Sequence, residues 1–225
     1  MIKAIIFDFD GLIIDSETPE FQVWQELFAA HGRELGFDLW ADLVGRPPNH
    51  FDLYRYFSEE INPAIDIEQL RKERRERVVA LTLRQPVLPG VHDYLHGGSS
   101  LGLKIGLASS SSGSHVRGHL ERLDLLRYFA ATKCFEDTAA HKPDPTPYLA
   151  VLDELDVSPD QAVAFEDSPN GVTSARAAGI YCVAVPNPVT RRLSLDHADH
   201  CMESLADEPL EKILARARQT KRIRI

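Results

Sequence analysis

Cysteine is scarce. Three residues, Cys134, Cys182 and Cys201, are odd in number and far apart in a chain of 225. Such spacing suggests neither a zinc site nor a disulfide framework and fits a reducing cytoplasm. Long apolar runs are also missing, and none reaches the roughly 18 residues that a membrane span needs. Positive charge is not in excess: 25 Lys and Arg face 34 Asp and Glu, for a formal net charge of −9. That balance argues against wholesale binding of nucleic acid or of an acidic membrane. There is no internal repeat, and the only low-complexity stretch is the four serines from Ser109 to Ser112. The N-terminus enters a strand-like pattern with acidic residues at once, which is not how a signal peptide begins. What remains is an ordinary globular composition, 44% hydrophobic and 26% charged. The length suits one large domain, or a core with a smaller insert.

The stretch around which the chain is organised is Ile5-Ile6-Phe7-Asp8-Phe9-Asp10-Gly11. Its apolar start reads as a strand buried on both faces of a sheet. Two carboxylates follow one residue apart, and Asp is a poor strand former and expensive to bury as a charge. The carboxyl end of a strand is where open α/β sheets bind ligands, and Gly11 permits the sharp turn that leaves both acids facing one crevice. Asp and Gly are equally ordinary in a turn, so the motif alone leaves both readings open.

From Asp15 to about Pro86 the pattern is helical. Phe21, Trp24, Leu27 and Phe28 mark one face of an amphipathic helix, and a loop at Gly45-Arg46-Pro47-Pro48-Asn49-His50 interrupts the region. Glu68 to Arg77 carries dense mixed charge and reads as a solvated helix face. From Pro89 onward, strand and helix signals alternate, as in parallel α/β units. Leu103–Ala108 is a strand candidate leading into the serines and a helix from His115 to Leu125. Serines before a helix are caps by default, although such a turn is also a good phosphate cradle. Lys142 lies between His141 and Pro143, just before a helix over Pro147–Leu155, and a loop Lys is normally solvated. His141 has no evident partner and reads as a surface residue. Ala162–Phe165 is another strand candidate, running into Glu166-Asp167-Ser168 and a helix. A last strand is expected at Tyr181–Pro186, and the basic tail from Lys212 reads as a frayed, solvated helix.

Strand, carboxylate pair, helix therefore occurs twice. The carboxyl ends of parallel strands share one edge, so Asp8, Asp10, Glu166, Asp167, Ser109 and Lys142 are expected to meet there. Four such acids repel without a cation, and an all-oxygen site suits Mg²⁺.

With Asp8-Phe9-Asp10-Gly11, Ser109, Lys142-Pro143 and Glu166-Asp167-Ser168 in order, the whole chain resembles the haloacid dehalogenase superfamily of phosphohydrolases. The helical insert resembles the cap of the branch that includes β-phosphoglucomutase and phosphoglycolate phosphatase. The resemblance implies a Rossmann-like parallel α/β core from residues 1–15 and 87–225, with an inserted α-helical cap at 16–86. It implies that Asp8 is the nucleophile, forming an aspartyl-phosphate, and that Asp10 is the general acid and base. Mg²⁺ would be held by the Asp8 carboxylate, the Asp10 backbone carbonyl and Asp167, with Glu166 close by or ligating. Ser109, with the backbone around Ser110, and Lys142 would hold the phosphoryl oxygens. Arg46 and Asn49 are candidates for substrate contact from the cap, with His50, Tyr54 and Arg55 as further possibilities.

The expected activity is Mg²⁺-dependent hydrolysis of a small phosphorylated metabolite, a sugar phosphate or similar monoester, by a cytoplasmic monomer. The alternative is a β-phosphoglucomutase-like phosphotransferase. It is disfavoured because the hinge carries Pro19-Glu20 and no His, and Pro48 stands where the mutase cap has its Arg. A non-enzymatic receiver module has neither this length nor an insert, and a dehalogenase has no use for Asp10. The segment His96-Gly97-Gly98-Ser99-Ser100 departs from the family pattern and is expected to be looser than the usual helix.

Overall fold

The computed structural model describes residues 1–44 and 52–223. Six strands form one fully parallel sheet: β1 Ala4–Phe7, β2 Lys104–Ala108, β3 Ala131–Lys133, β4 Ala162–Glu166, β5 Tyr181–Ala184 and β6 His200–Cys201. Their order is β3-β2-β1-β4-β5-β6, so β1 is central, and Phe7 pairs with Leu107 on one side and Phe165 on the other. Residues following Phe7, Ala108 and Phe165 therefore emerge together at one edge. Because the order reverses at β1, that edge is also the crevice in which doubly wound sheets hold ligands.

Side-chain alternation along the strands builds two different cores. Ile5, Phe7, Leu107, Val163, Phe165 and Val183 face a bulky layer with α5 Val91–Ser100, α6 Gly113–Arg122 and α9 Leu210–Ile223. Ala4, Ile6, Ala162, Ala164 and Ala184 face α7 Thr146–Leu155 and α8 Pro169–Ala177, where small side chains admit close helix approach. Three expectations are corrected here. Residues 96–100 are helical, and Gly98 lets α5 lie on β1, since a Cβ there would stand 2.7 Å from Ile5 Cδ1. The basic tail is not merely solvated, because Leu210, Ile213, Leu214 and Ala217 are buried in the core. The strand at 181–184 is also not the last, since β6 follows it.

Between β1 and α5 lie α1 Glu17–Ala30, α2 Phe37–Val44, α3 Leu53–Tyr56 with a wider turn over Phe57–Ile61, and α4 Ile67–Thr82. They share an aromatic core of their own. Trp24 meets Tyr54 edge-on at 4.9 Å, and Phe28 meets Phe57 at 5.4 Å. Asp52 and Asp66 cap α3 and α4 by accepting backbone N–H groups. Among the described residues, no helix is long and apolar enough to cross a membrane. All three cysteines are free.

Candidate active site

β1 delivers Asp8 one residue beyond its last paired position, and Gly11 turns the chain back. Gly11 has φ +79°, and a side chain there would strike Asn187 and the Asp167 carboxylate, so only glycine fits this approach. β4 ends in Glu166 and Asp167. Asp8, Glu166 and Asp167 are all buried, with carboxylate oxygens within 4.8 Å of one another. Lys142 enters from the loop after β3, across a cis Lys142–Pro143 peptide. Its ammonium pairs with Asp8 Oδ1 and donates to Glu166 Oε1 at 2.6 Å. Its side chain is almost fully buried, so a solvated loop Lys is not what the fold makes of this residue.

Glu166 is saturated with donors. Oε1 accepts from Lys142 and from the Tyr148 hydroxyl at 2.6 Å, and Oε2 from the Asp167 N–H at 3.2 Å and the Ser168 hydroxyl at 3.4 Å. Gly171 leaves room for this carboxylate, which any side chain at 171 would overlap. Asp167 is held more lightly: Asn187 Nδ2 donates to Oδ2 at 2.7 Å. Burial pushes Asp8 up to about 7 despite Lys142, with Glu166 adding repulsion. Burial, Asp8 and Glu166 likewise hold Asp167 well above the usual carboxylate range. Lys142 lies above its usual value because attraction to Asp8 and Glu166 outweighs its burial.

This donor set fits a hard divalent cation. Asp8 and Asp167 are crowded, repelling oxygens that a cation would relieve, and the Asp10 carbonyl accepts no hydrogen bond among the described residues. Glu166 already accepts from four donors, Lys142 and the Asp167 N–H among them.

Asp10 takes a different set of hydrogen-bond partners from that cluster. Its Oδ2 accepts from the Ser111 hydroxyl at 2.6 Å and its Oδ1 contacts His115 Nε2 at 3.0 Å. Burial alone would raise Asp10, but the bonds from His115 and Ser111 bring it below the ordinary value. The same bond lifts His115.

The serine run divides its work. Ser112 caps α6, accepting the His115 N–H at 3.4 Å. Ser109 Oγ accepts from the Ser111 N–H at 3.0 Å, which leaves the Ser109 proton to donate elsewhere. Ser109, Ser110, Lys142, Asp8 and Asp10 line one cavity of about 430 Å³. His141 belongs to its wall, stacked on Phe135 at 4.0 Å with Nδ1 buried and without a hydrogen-bond partner among the described residues, and is not the surface residue expected.

Sequence reasoning missed Ser111, His115, Tyr148 and Asn187. The only signal for Asn187 is its place just after β5, at the same sheet edge. Arg46, Asn49 and His50 lie outside the described residues. Tyr54 and Arg55 line neither this cavity nor the larger one beside it. Tyr54 packs on Trp24, and Arg55 is exposed and paired with Glu59 at 2.8 Å.

Comparison with known proteins agrees with this geometry. The family described as haloacid dehalogenase-like hydrolase matches residues 5–185. YhcW of Bacillus subtilis is 43% identical over 214 residues, covering 95% of this chain and 97% of its own length. A phosphorylated carbohydrates phosphatase of Thermotoga maritima is 32% identical over 182 residues, with 80% and 82% coverage. The crystal structure of CbbY from Rhodobacter sphaeroides in complex with phosphate aligns with a TM-score of 0.72 at 28% identity. It covers 92% of this chain and 96% of that one. The chain belongs to the haloacid dehalogenase-like hydrolase family and is a phosphohydrolase.

Proposed function

We propose that the enzyme hydrolyses a small phosphorylated metabolite, a sugar phosphate or similar monoester, with Asp8 as nucleophile and Mg²⁺ as its metal. The observation that carries this reading is the contrast within the acid cluster. Asp8 opens onto a cavity lined by Ser109, Ser110 and Lys142, whereas Glu166 is fully engaged in the wall. An Asp8 oxygen attacks phosphorus as the bond to the ester oxygen breaks, and the hydrogen-bonded Asp10–His115 pair, carrying one proton between Asp10 Oδ1 and His115 Nε2, gives that oxygen its proton through Asp10. Water then attacks the aspartyl-phosphate, Asp10 takes up the proton, and inorganic phosphate leaves with Asp8 restored. Lys142, the Ser109 hydroxyl and the Ser110 N–H hold the phosphoryl oxygens as charge develops on them. Mg²⁺ held by Asp8 and Asp167 would offset the repulsion between a carboxylate and a phosphate dianion.

Residues 16–86 act in this reading as a cap on a core of residues 1–15 and 87–225. A cap that opens and closes would exclude water during transfer and release the products. The test is phosphate release from a panel of phosphorylated sugars, nucleotides and glycolate, with and without Mg²⁺, beside Asp8→Asn. Metal-dependent release that the variant abolishes is expected. Release that survives in Asp8→Asn contradicts the assignment.

A further inference from the structure

Asn187 belongs to a short segment that touches two parts of the molecule at once. The run Val185-Pro186-Asn187-Pro188-Val189-Thr190 leaves β5 at the ligand-binding edge, and prolines on both sides of Asn187 stiffen it. Hydrogen bonds close it further. Asn187 Oδ1 accepts the Val189 N–H at 2.8 Å and the Thr190 N–H at 2.9 Å, and the Thr190 hydroxyl accepts the Asn187 N–H at 3.0 Å. Asn187, Val189 and Thr190 are all buried. With its amide oxygen used inside this turn, Asn187 keeps its amide nitrogen for the Asp167 carboxylate, pressed against the chain reversal at Gly11.

Two residues on, Val189 enters the aromatic core of the inserted helices. Among the described residues it is the one member of that cluster from outside residues 16–86. The single helical turn Thr190–Arg192 that follows lies against α2, where the Arg192 guanidinium sits 4.1 Å over the Phe37 ring. The reaction above makes no use of this contact. One closed turn thus meets the Asp167 carboxylate at one end and the core of the cap at the other. Close-packed, hydrogen-bonded segments of this kind transmit displacement, because they cannot deform smoothly.

We propose that Asn187 and Val189 are positioning residues that link the cap to the metal site: a cap seated on Val189 and Arg192 holds Asn187, and through it Asp167, in the orientation that binds a divalent cation. By reciprocity, metal binding favours the seated cap by the same factor. The inference rests on the reading of Asp167 as a metal ligand and of residues 16–86 as a cap.

The test titrates Mg²⁺ alone, without substrate, by isothermal titration calorimetry and by tryptophan emission. Both tryptophans of the chain, Trp24 and Trp40, lie in the cap core and neither lines the site cavity, so their emission reads the cap. Val189→Ala keeps the backbone donor to Asn187 and removes only the side chain that enters the cap. It should weaken Mg²⁺ binding about fivefold or more, and should add no further loss in an Asn187→Leu background. Leu70→Ala opens a larger hole in the same cap core, on α4, and should change Kd no more than about twofold. The calorimetric stoichiometry counts folded protein, so a partly unfolded variant does not mimic weaker binding. Mg²⁺ should also change the emission of the wild type, and Asn187→Leu should abolish that change at saturating metal. An unchanged Kd in Val189→Ala, the same loss in both backgrounds, a matching loss in Leu70→Ala, or an emission that ignores Mg²⁺ overturns the proposal and leaves the metal site standing. A wild type that binds no Mg²⁺ removes the metal reading, and the inference with it.

Discussion

The two acid-bearing strand ends, after β1 and at the end of β4, look alike in sequence and differ in how their charge is handled. At β4, Glu166 is fully buried and meets four donors, with a glycine at 171 keeping space for it. At β1, Asp8 has one cationic partner, lies against two other acids and is pushed up to about 7. A satisfied carboxylate is scaffolding, whereas an under-compensated one beside a cavity is poised for chemistry. Burial does not separate them. Hydrogen bonding does.

The contrast can be broken most forcefully at Asp8. Asp8→Asn should cut turnover by at least about 10⁴-fold while leaving the fold intact, measured by phosphate release and circular dichroism. Glu166→Ala should act through stability, costing roughly 3–5 kcal/mol, because Lys142 and the Tyr148 hydroxyl lose a buried partner. Chemical denaturation reads this directly, and an unchanged midpoint would mean that the anchoring role is misplaced. Asn187→Leu removes the one side chain among the described residues that donates to the Asp167 carboxylate. It should raise the metal concentration needed for half-maximal activity about 10–100-fold, with smaller loss at saturating metal.

A subtler effect follows from pH. The folded value of Asp8, about 7, lies above its ordinary 3.8. Stability from the protonated group is therefore present below about pH 4 and is lost as pH rises through 7. Without divalent metal at pH 8, Asp8→Asn should melt roughly 2–6 °C above the wild type, a gain that shrinks towards pH 4. Equal melting temperatures at pH 8 would show that Lys142 fully compensates Asp8. The smallest effect is the control: Arg55 and Glu59 form an exposed pair one helical turn apart, and Glu59→Gln should move the melting temperature by no more than about 1 °C.

Legibility in the sequence followed the strength of local signals. β1, β2 and β4 are apolar runs that stop abruptly at Asp8, Ser109 and Glu166, so their shared edge is legible in the sequence itself. β3 and β6 span three and two residues, too short for a strand pattern to register. The apolar stripe of α9 is interleaved with Lys and Arg, which masked its burial. The bonds from Ser111 and His115 to Asp10 cross more than a hundred residues, and that from Asn187 to Asp167 crosses 20. Such partners follow from topology, and no local spacing encodes them.

The most direct test of the central claim is to identify the residue that carries the phosphoryl group. Enzyme quenched during turnover is treated with borohydride, which reduces an acyl-phosphate to an alcohol, and the peptides are sequenced by mass spectrometry. Reduction is expected at residue 8 alone, and none when substrate is omitted. Reduction at Glu166 or Asp167 with Asp8 intact would contradict it.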